Sequence, residues 1–213
     1  MRPNMNFFFH QLRKRLAVAI NRTADYAMFI GFVLIAGIGS SWYMVDTGSA
    51  LTTERVGSWV TWLSAARPDA DPYTRAHFAR MGTLPMSTEV AQTLVSRYDD
   101  SGSRLHSSCE YVVKGHDIAG SWWSLSVFDD DGRVISNPAE RYTFTSDTIA
   151  LKPGGDYAVT LARDARPGNW LPTGGAGRLA LVLTIVDLGL GSSERDREEE
   201  KNPIPTIDQV ACR

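Results

Sequence analysis

A mainly β domain, built as an antiparallel sandwich and held outside a membrane by one N-terminal transmembrane helix, is the fold this sequence predicts. Three stretches predict it. In 122–132, Trp-Trp-Ser-Leu-Ser-Val-Phe-Asp-Asp-Asp-Gly, the large apolar residues Trp123, Leu125 and Val127 recur at every second position, and an Asp-Gly pair closes the run. Period-two patterning marks a strand, and Asp-Gly marks a tight hairpin turn leading to a new strand at Val134-Ile135. In 179–186, Leu-Ala-Leu-Val-Leu-Thr-Ile-Val is apolar on both faces, as befits the interior of a sandwich. In 27–45, nineteen residues pass without a charge.

That third stretch would make a helix of roughly 28 Å, close to the hydrocarbon thickness of a bilayer. Before it, Arg2, Arg13, Lys14, Arg15 and Arg22 stand within residues 1–23, which hold no acid, and beyond these the chain is net acidic. The positive-inside rule then places residues 1–26 in the cytoplasm of a bacterial cell, the helix in the inner membrane and the rest in the periplasm; Trp42 and Tyr43 suit the far headgroup layer. A cleaved signal peptide is the alternative, with Gly48-Ser49-Ala50 as a poor cleavage site. Phe7-Phe8-Phe9 followed by Arg13-Lys14-Arg15 reads either as a short amphipathic helix on the inner leaflet or as a disordered basic arm. Ala36 with Ser40, and Gly37 with Ser41, give small residues at a spacing that lets a second helix approach.

Composition narrows the class. With 213 residues, 43% hydrophobic and 22% charged, the chain is long enough to bury one ordinary core, and a net charge of -2 does not call for a polyanionic partner. No basic stripe interleaved with aromatics follows the arm, so nucleic acid is not expected. The two cysteines, Cys109 and Cys212, both fall on the exported side, where one disulfide fastening the C-terminal tail is expected; two free thiols is the other reading.

Taken in order, 53–66 carries Val56, Trp59, Val60 and Leu63 at helical spacing and reads as an amphipathic helix. Asp71-Pro72 supplies a cap and a first-turn proline, and Gly82 a stop, so a second helix is expected over Pro72–Met81. His77 within it has no ligand partner and reads as a surface or interface residue. The stretch 92–98 suits strand or helix; the turn Asp99-Asp100-Ser101-Gly102 and the strand 109–114 behind it favour strand, turn, strand. His106 and His116 bracket that strand without a metal-ligand spacing. Strands follow near 141–145 and 157–161. Gly168, Gly174, Gly175 and Gly177 do not form a phosphate loop, because the lysine and the helix of that motif are absent. Residues 192–202 form a charged, solvated connector, and 203–212 an extended tail. The organisation is thus arm 1–26, span 27–45, exported domain 46–191 with a helical lead-in, and connector plus tail 192–213.

Asp71-Pro-Tyr-Thr-Arg-Ala76, Cys109-Glu-Tyr-Val-Val113, Trp122-Trp-Ser-Leu-Ser-Val-Phe-Asp129, Asn137-Pro138 with Arg141-Tyr142, Asn169-Trp-Leu-Pro172 and Pro205-Thr-Ile207 together resemble an uncharacterised envelope family, domain of unknown function 1214. The resemblance covers roughly 55–212, in the membrane-anchored arrangement of the family's shorter members. It implies a jelly-roll-like β-sandwich and no established activity. Longer members carry a second uncharacterised β-domain that this chain lacks, which implies a separate polypeptide as partner.

Chemistry-bearing motifs are few: no Gly-x-Ser-x-Gly, His-Glu-x-x-His or Cys-x-x-Cys occurs. Neither a cofactor nor a metal is expected. Asp129, Asp130 and Asp131 read as a solvated turn, or else as a calcium site or acid/base pair. Arg141, Tyr142, Asn169 and Trp170 are the binding candidates, since flat aromatic faces with guanidinium and amide donors suit a sugar or a lipid headgroup. In the competing view Trp170 anchors the core and Arg141 pairs with an acid. Two functions follow: an anchored periplasmic domain that binds a partner protein or cell-envelope glycan, or an enzyme acting on envelope carbohydrate through Asp129 or Asp131 with Arg141.

Overall fold

In the computed structural model, the described residues are 5–117, 122–186 and 204–212, and they fall into two units, Met1–Thr47 and Gly48–Arg213. The first unit is one continuous helix, α1 (Met5–Thr47), so the basic arm and the apolar segment share one element rather than being separated by a break. Its part Ile20–Thr47, 28 residues, is long and apolar enough to cross a membrane, and Phe29, Phe32, Leu34, Ile35 and Ile38 are all exposed. A helix with apolar side chains on every face is stable in water only if something covers it, which is the property of a membrane span.

The second unit contains β1 (Thr53–Val56), β2 (Trp59–Trp62), α2 (Pro72–Met81), β3 (Ala91–Ser96), β4 (Cys109–His116), β5 (Trp122–Asp129), β6 (Thr143–Thr145), β7 (Asp156–Ala162), β8 (Asn169–Pro172), β9 (Leu179–Val186) and β10 (Thr206–Cys212). Among the described residues these strands make two sheets, in the orders β1-β2-β3-β9-β5-β6 and β10-β4-β7-β8. The neighbouring strands are antiparallel, except that β8 runs parallel to β7. The expected mainly β, two-sheet fold is what the chain adopts.

Alternation explains the packing. Along β5, Trp123, Leu125 and Val127 are buried while Trp122, Ser124 and Ser126 are not, so one face of the strand meets the core. Leu181, Leu183 and Ile185 of β9 join them from the first sheet; Tyr111, Val113, Tyr157, Val159 and Leu161 oppose them from the second. The Trp123 ring stacks on that of Tyr157 at 4.9 Å, which ties the two sheets directly. As the doubly apolar pattern of 179–186 suggests, β9 lies inside its sheet, between β3 and β5.

Two local expectations are corrected. The segment 53–66 is not a helix: Val56 pairs with Trp59 across a two-residue turn in which Gly57 takes a positive φ of 59°, so β1 and β2 form a hairpin. Thr53, Val56, Val60 and Thr61 are β-branched, and a two-residue turn with glycine in the left-handed region suits a hairpin. Secondly, the Asp-Gly turn behind β5 does close, with the Asp129 amide donating to the Arg133 carbonyl, but the returning chain makes one bridge, Phe128 to Val134. The long partner of β5 is instead β9, eight residues in register from Trp122↔Val186 to Asp129↔Leu179.

The second helix falls where expected, Pro72–Met81. The Asp71 carboxylate accepts from the Tyr73 and Thr74 amides at 2.9 and 3.0 Å, and Gly82 ends the helix at φ 64°. His77 stacks on Trp62 of β2 at 4.2 Å, so it packs the helix on the first sheet. Burial pushes the Asp71 carboxyl upward, but hydrogen bonds from the Thr74 hydroxyl and amide, the Tyr73 amide and the Ser64 hydroxyl outweigh it and hold the group below the usual carboxylate range. Asp71→Ala is expected to lose about 1 kcal/mol at neutral pH. Because the folded-state value is depressed, this stabilisation is present above the unfolded value near 3.9 and vanishes as pH falls through the folded one, so wild type and variant should converge in acid. Thermal midpoints measured against pH check this.

The tail is a strand of the second sheet. β10 pairs with β4 from Thr206↔Lys114 to Cys212↔Cys109, with a bulge between Gln209 and Ala211. Cys109 and Cys212 are joined by a disulfide. The expected charged connector, 192–202, lies outside the described residues.

Candidate functional site

β8 and the loop before β6 bring some of the candidate residues together. Arg141 is exposed; its guanidinium lies 6.0 Å from the Trp170 ring centroid and 5.7 Å from that of Phe144. Its Nη1 donates to the Trp170 carbonyl at 3.4 Å. Trp170 is half-buried, with its indole N–H donated to the Ala162 carbonyl at 3.0 Å, and Tyr142 beside Arg141 is exposed. The result is a surface patch with an aromatic face, a phenol and a cation paired with a carbonyl rather than an acid.

Asn169 is adjacent in sequence but turns the other way. It is buried, its Oδ1 accepts from the Ala150 amide at 2.9 Å, and its Nδ2 donates to the carbonyls of Ala150 and Ala158. Three backbone partners leave little of its amide for a ligand. Asn137 does the same for the preceding loop, binding the Ile135 and Arg141 carbonyls and the Arg141 amide, and so fixes where Arg141 emerges.

The acids are placed separately. Asp129 Oδ1 accepts from the amides of Asp131 and Arg133 and so closes its own turn; Asp131 makes an exposed ion pair with Arg133 at 3.1 Å. Among the described residues neither acid bonds to Arg141, and no group of three His, Cys, Asp or Glu side chains is arranged to hold a metal ion. His116 meets Asp156 at 3.1 Å on the surface, a pairing the sequence did not suggest.

A different cluster was not anticipated from the sequence at all. Asp130, between the two acids of the turn, is surrounded by three guanidiniums: Arg104 Nη2 hydrogen-bonds its Oδ1, Arg97 Nε lies 3.9 Å from the same oxygen, and Arg178 Nη1 lies 3.7 Å from Oδ2. Sheet register brings them together. Asp129 faces Leu179 across β5 and β9, so the next step outward sets Asp130 opposite Arg178. Arg97 follows the end of β3, and Arg104 bridges back to it through Tyr98. The one signal in the sequence is that Arg97, Asp130 and Arg178 each lie one residue outside a strand end.

The crystal structure of the VPA0106 protein from Vibrio parahaemolyticus superposes on 67% of this chain at a TM-score of 0.50 and 19% identity, a likeness of fold. A crystal structure of an uncharacterised protein from Burkholderia cenocepacia matches over 86% of this chain at a TM-score of 0.43 and 16% identity. The chain spans 36% and 42% of those two proteins' lengths. No curated protein matches. The family model matches residues 90–189, which run from β3 through β9 and hold both the Arg141 patch and the arginine cluster. Over that segment the chain matches the family described as protein of unknown function (DUF1214).

Proposed function

We propose that this is a single-pass inner-membrane protein whose periplasmic β-domain is a binding module for a cell-envelope glycan. The observation that carries the binding reading is the Arg141 guanidinium set beside the Trp170 ring with exposed Tyr142 next to it. A sugar presents an apolar C–H face to an aromatic ring and hydroxyls to flanking donors, which is what such a patch offers. The apolar helix Ile20–Thr47, the basic residues ahead of it and the Cys109–Cys212 bridge support export with the N-terminus left in the cytoplasm.

Two measurements test these proposals. Alkaline phosphatase fused after Arg213 is expected to be active and β-galactosidase inactive; the reverse pattern rejects the topology. Full chain in detergent is expected to be retained by immobilised cell-wall glycan, and Arg141→Ala with Tyr142→Ala, both at exposed positions, is expected to weaken retention about tenfold. Retention that ignores both substitutions would move the binding role away from this patch.

A further inference from the structure

We propose that Arg97, Arg104 and Arg178, gathered round Asp130 where β5 and β9 meet the end of the sandwich, form a binding site for a phosphate group. The argument is one of unsatisfied donors. Arg104 alone of the three is within hydrogen-bonding distance of Asp130; Arg97 and Arg178 approach it no closer than 3.9 and 3.7 Å. Among the described residues neither of those two guanidiniums donates a side-chain hydrogen bond elsewhere, and the Arg104 Nε is buried without a partner. Each guanidinium carries five N–H donors, against two oxygens on one carboxylate. The cluster therefore holds two positive charges in excess, with donors on Arg97 and Arg178 that no side chain among the described residues accepts.

A planar carboxylate serves three converging guanidiniums poorly, whereas a tetrahedral phosphate offers an oxygen to each. Asp130 then acts as a resident counter-ion: it keeps the arginines together when the site is empty and competes with the incoming anion. Half-exposure of Asp130 and Arg104, and 66% exposure of the Arg178 side chain, leave the cluster open to solvent. Tyr98 carries Arg104 over its ring at 5.4 Å and accepts from its Nη1 at 3.3 Å, which fixes that guanidinium beside Asp130. The site does not depend on the Arg141 patch.

Calorimetric titration of the detergent-solubilised full chain tests the proposal with two probes, inorganic phosphate and monomeric dihexanoylphosphatidylglycerol. Binding of phosphate as tightly as of the lipid identifies a free phosphate as ligand; tighter binding of the lipid identifies a headgroup, and either result supports the site. Arg97→Gln and Arg178→Gln are each expected to weaken binding about tenfold, and Asp130→Asn to tighten it several-fold by removing the competitor. High salt should weaken all of these. The proposal is overturned if neither probe binds, if neither arginine substitution weakens binding, or if Asp130→Asn weakens it.

Discussion

Trp123→Ala is expected to destabilise the β-domain by about 3–5 kcal/mol, the range for truncating a large aromatic in a core. Trp123 is 0% exposed, lies on β5 opposite Ile185, stacks on Tyr157 of the other sheet and donates its indole N–H to Asp117 at 2.9 Å. Three losses coincide on truncation: the apolar area, the contact between sheets, and the partner of a carboxylate. Collapse of the cavity is also hindered. Tyr157 is held where Gly115 has no side chain, since a Cβ on Gly115 would stand 2.4 Å from the Tyr157 oxygen, so the ring has a tailored place from which it does not readily shift. Burial holds the Tyr157 phenol well above its ordinary range, with the Asp117 charge adding to it, so the group stays neutral at physiological pH. The neighbouring tryptophan is the control. Trp122 is 43% exposed on the opposite face and donates to Asp147, so Trp122→Ala is expected to stay within about 1 kcal/mol. Denaturation midpoints of the two variants, followed by near-ultraviolet circular dichroism, should separate them clearly. Equal midpoints would mean that the face assignment of β5 is wrong.

What the sequence revealed was local. The helix Pro72–Met81 is legible to the residue because its signals, Asp71, Pro72 and Gly82, lie at its own ends. The strand Leu179–Val186 is legible because a strand buried on both faces needs no alternation. The hairpin at 53–62 is not legible because Val56, Trp59, Val60 and Leu63 keep a helical spacing, and what makes the segment two strands is remote. Trp59 is buried with its indole N–H donated to the Pro205 carbonyl, 146 residues away. The same holds for the strand expected at Val134-Ile135: the Asp-Gly turn is legible, but on the edge of β5 away from β9 it is β6 that pairs with Ser124, Leu125 and Ser126.

The candidate residues divide on the same line. Arg141 and Trp170 meet because β8 and the loop before β6 are neighbours, yet nothing in Asn169-Trp170 showed that the amide would face inward to Ala150 and Ala158. The cluster round Asp130 was illegible because its members, Arg97, Arg104 and Arg178, are joined only by strand register. Arg97, Asp130 and Arg178, each one residue beyond a strand end, look solvated in sequence and become neighbours when the sheet forms, while the bridge of Tyr98 with Arg104 returns the third guanidinium to them.

Removing the Cys109–Cys212 bridge by a double serine substitution is expected to lower stability by about 2–5 kcal/mol, the upper part of that range following from a closed loop near 100 residues. The separation of 103 residues encloses every strand from β4 to β10, so the unfolded chain is strongly constrained by the bond. The effect should be uneven along β10. Of its residues Ile207 is the buried one, and that end is also held by the Asp100 carboxylate, which accepts the Ile207 amide at 3.0 Å. Beyond the bulge at Gln209–Ala211 the strand is exposed, and the pair of Lys114 with Asp208 at 2.8 Å is a surface ion pair worth little. The disulfide is therefore what clamps the far end of an edge strand whose own burial cannot hold it. Amide exchange is expected to accelerate first at Ala211 and the residue at position 212, and least at Ile207, while β3, β9 and β5 keep their protection until global unfolding. Uniform acceleration across both sheets would show that the bridge acts only through the unfolded chain, and unchanged exchange with an unchanged midpoint would show that β10 holds its place without it.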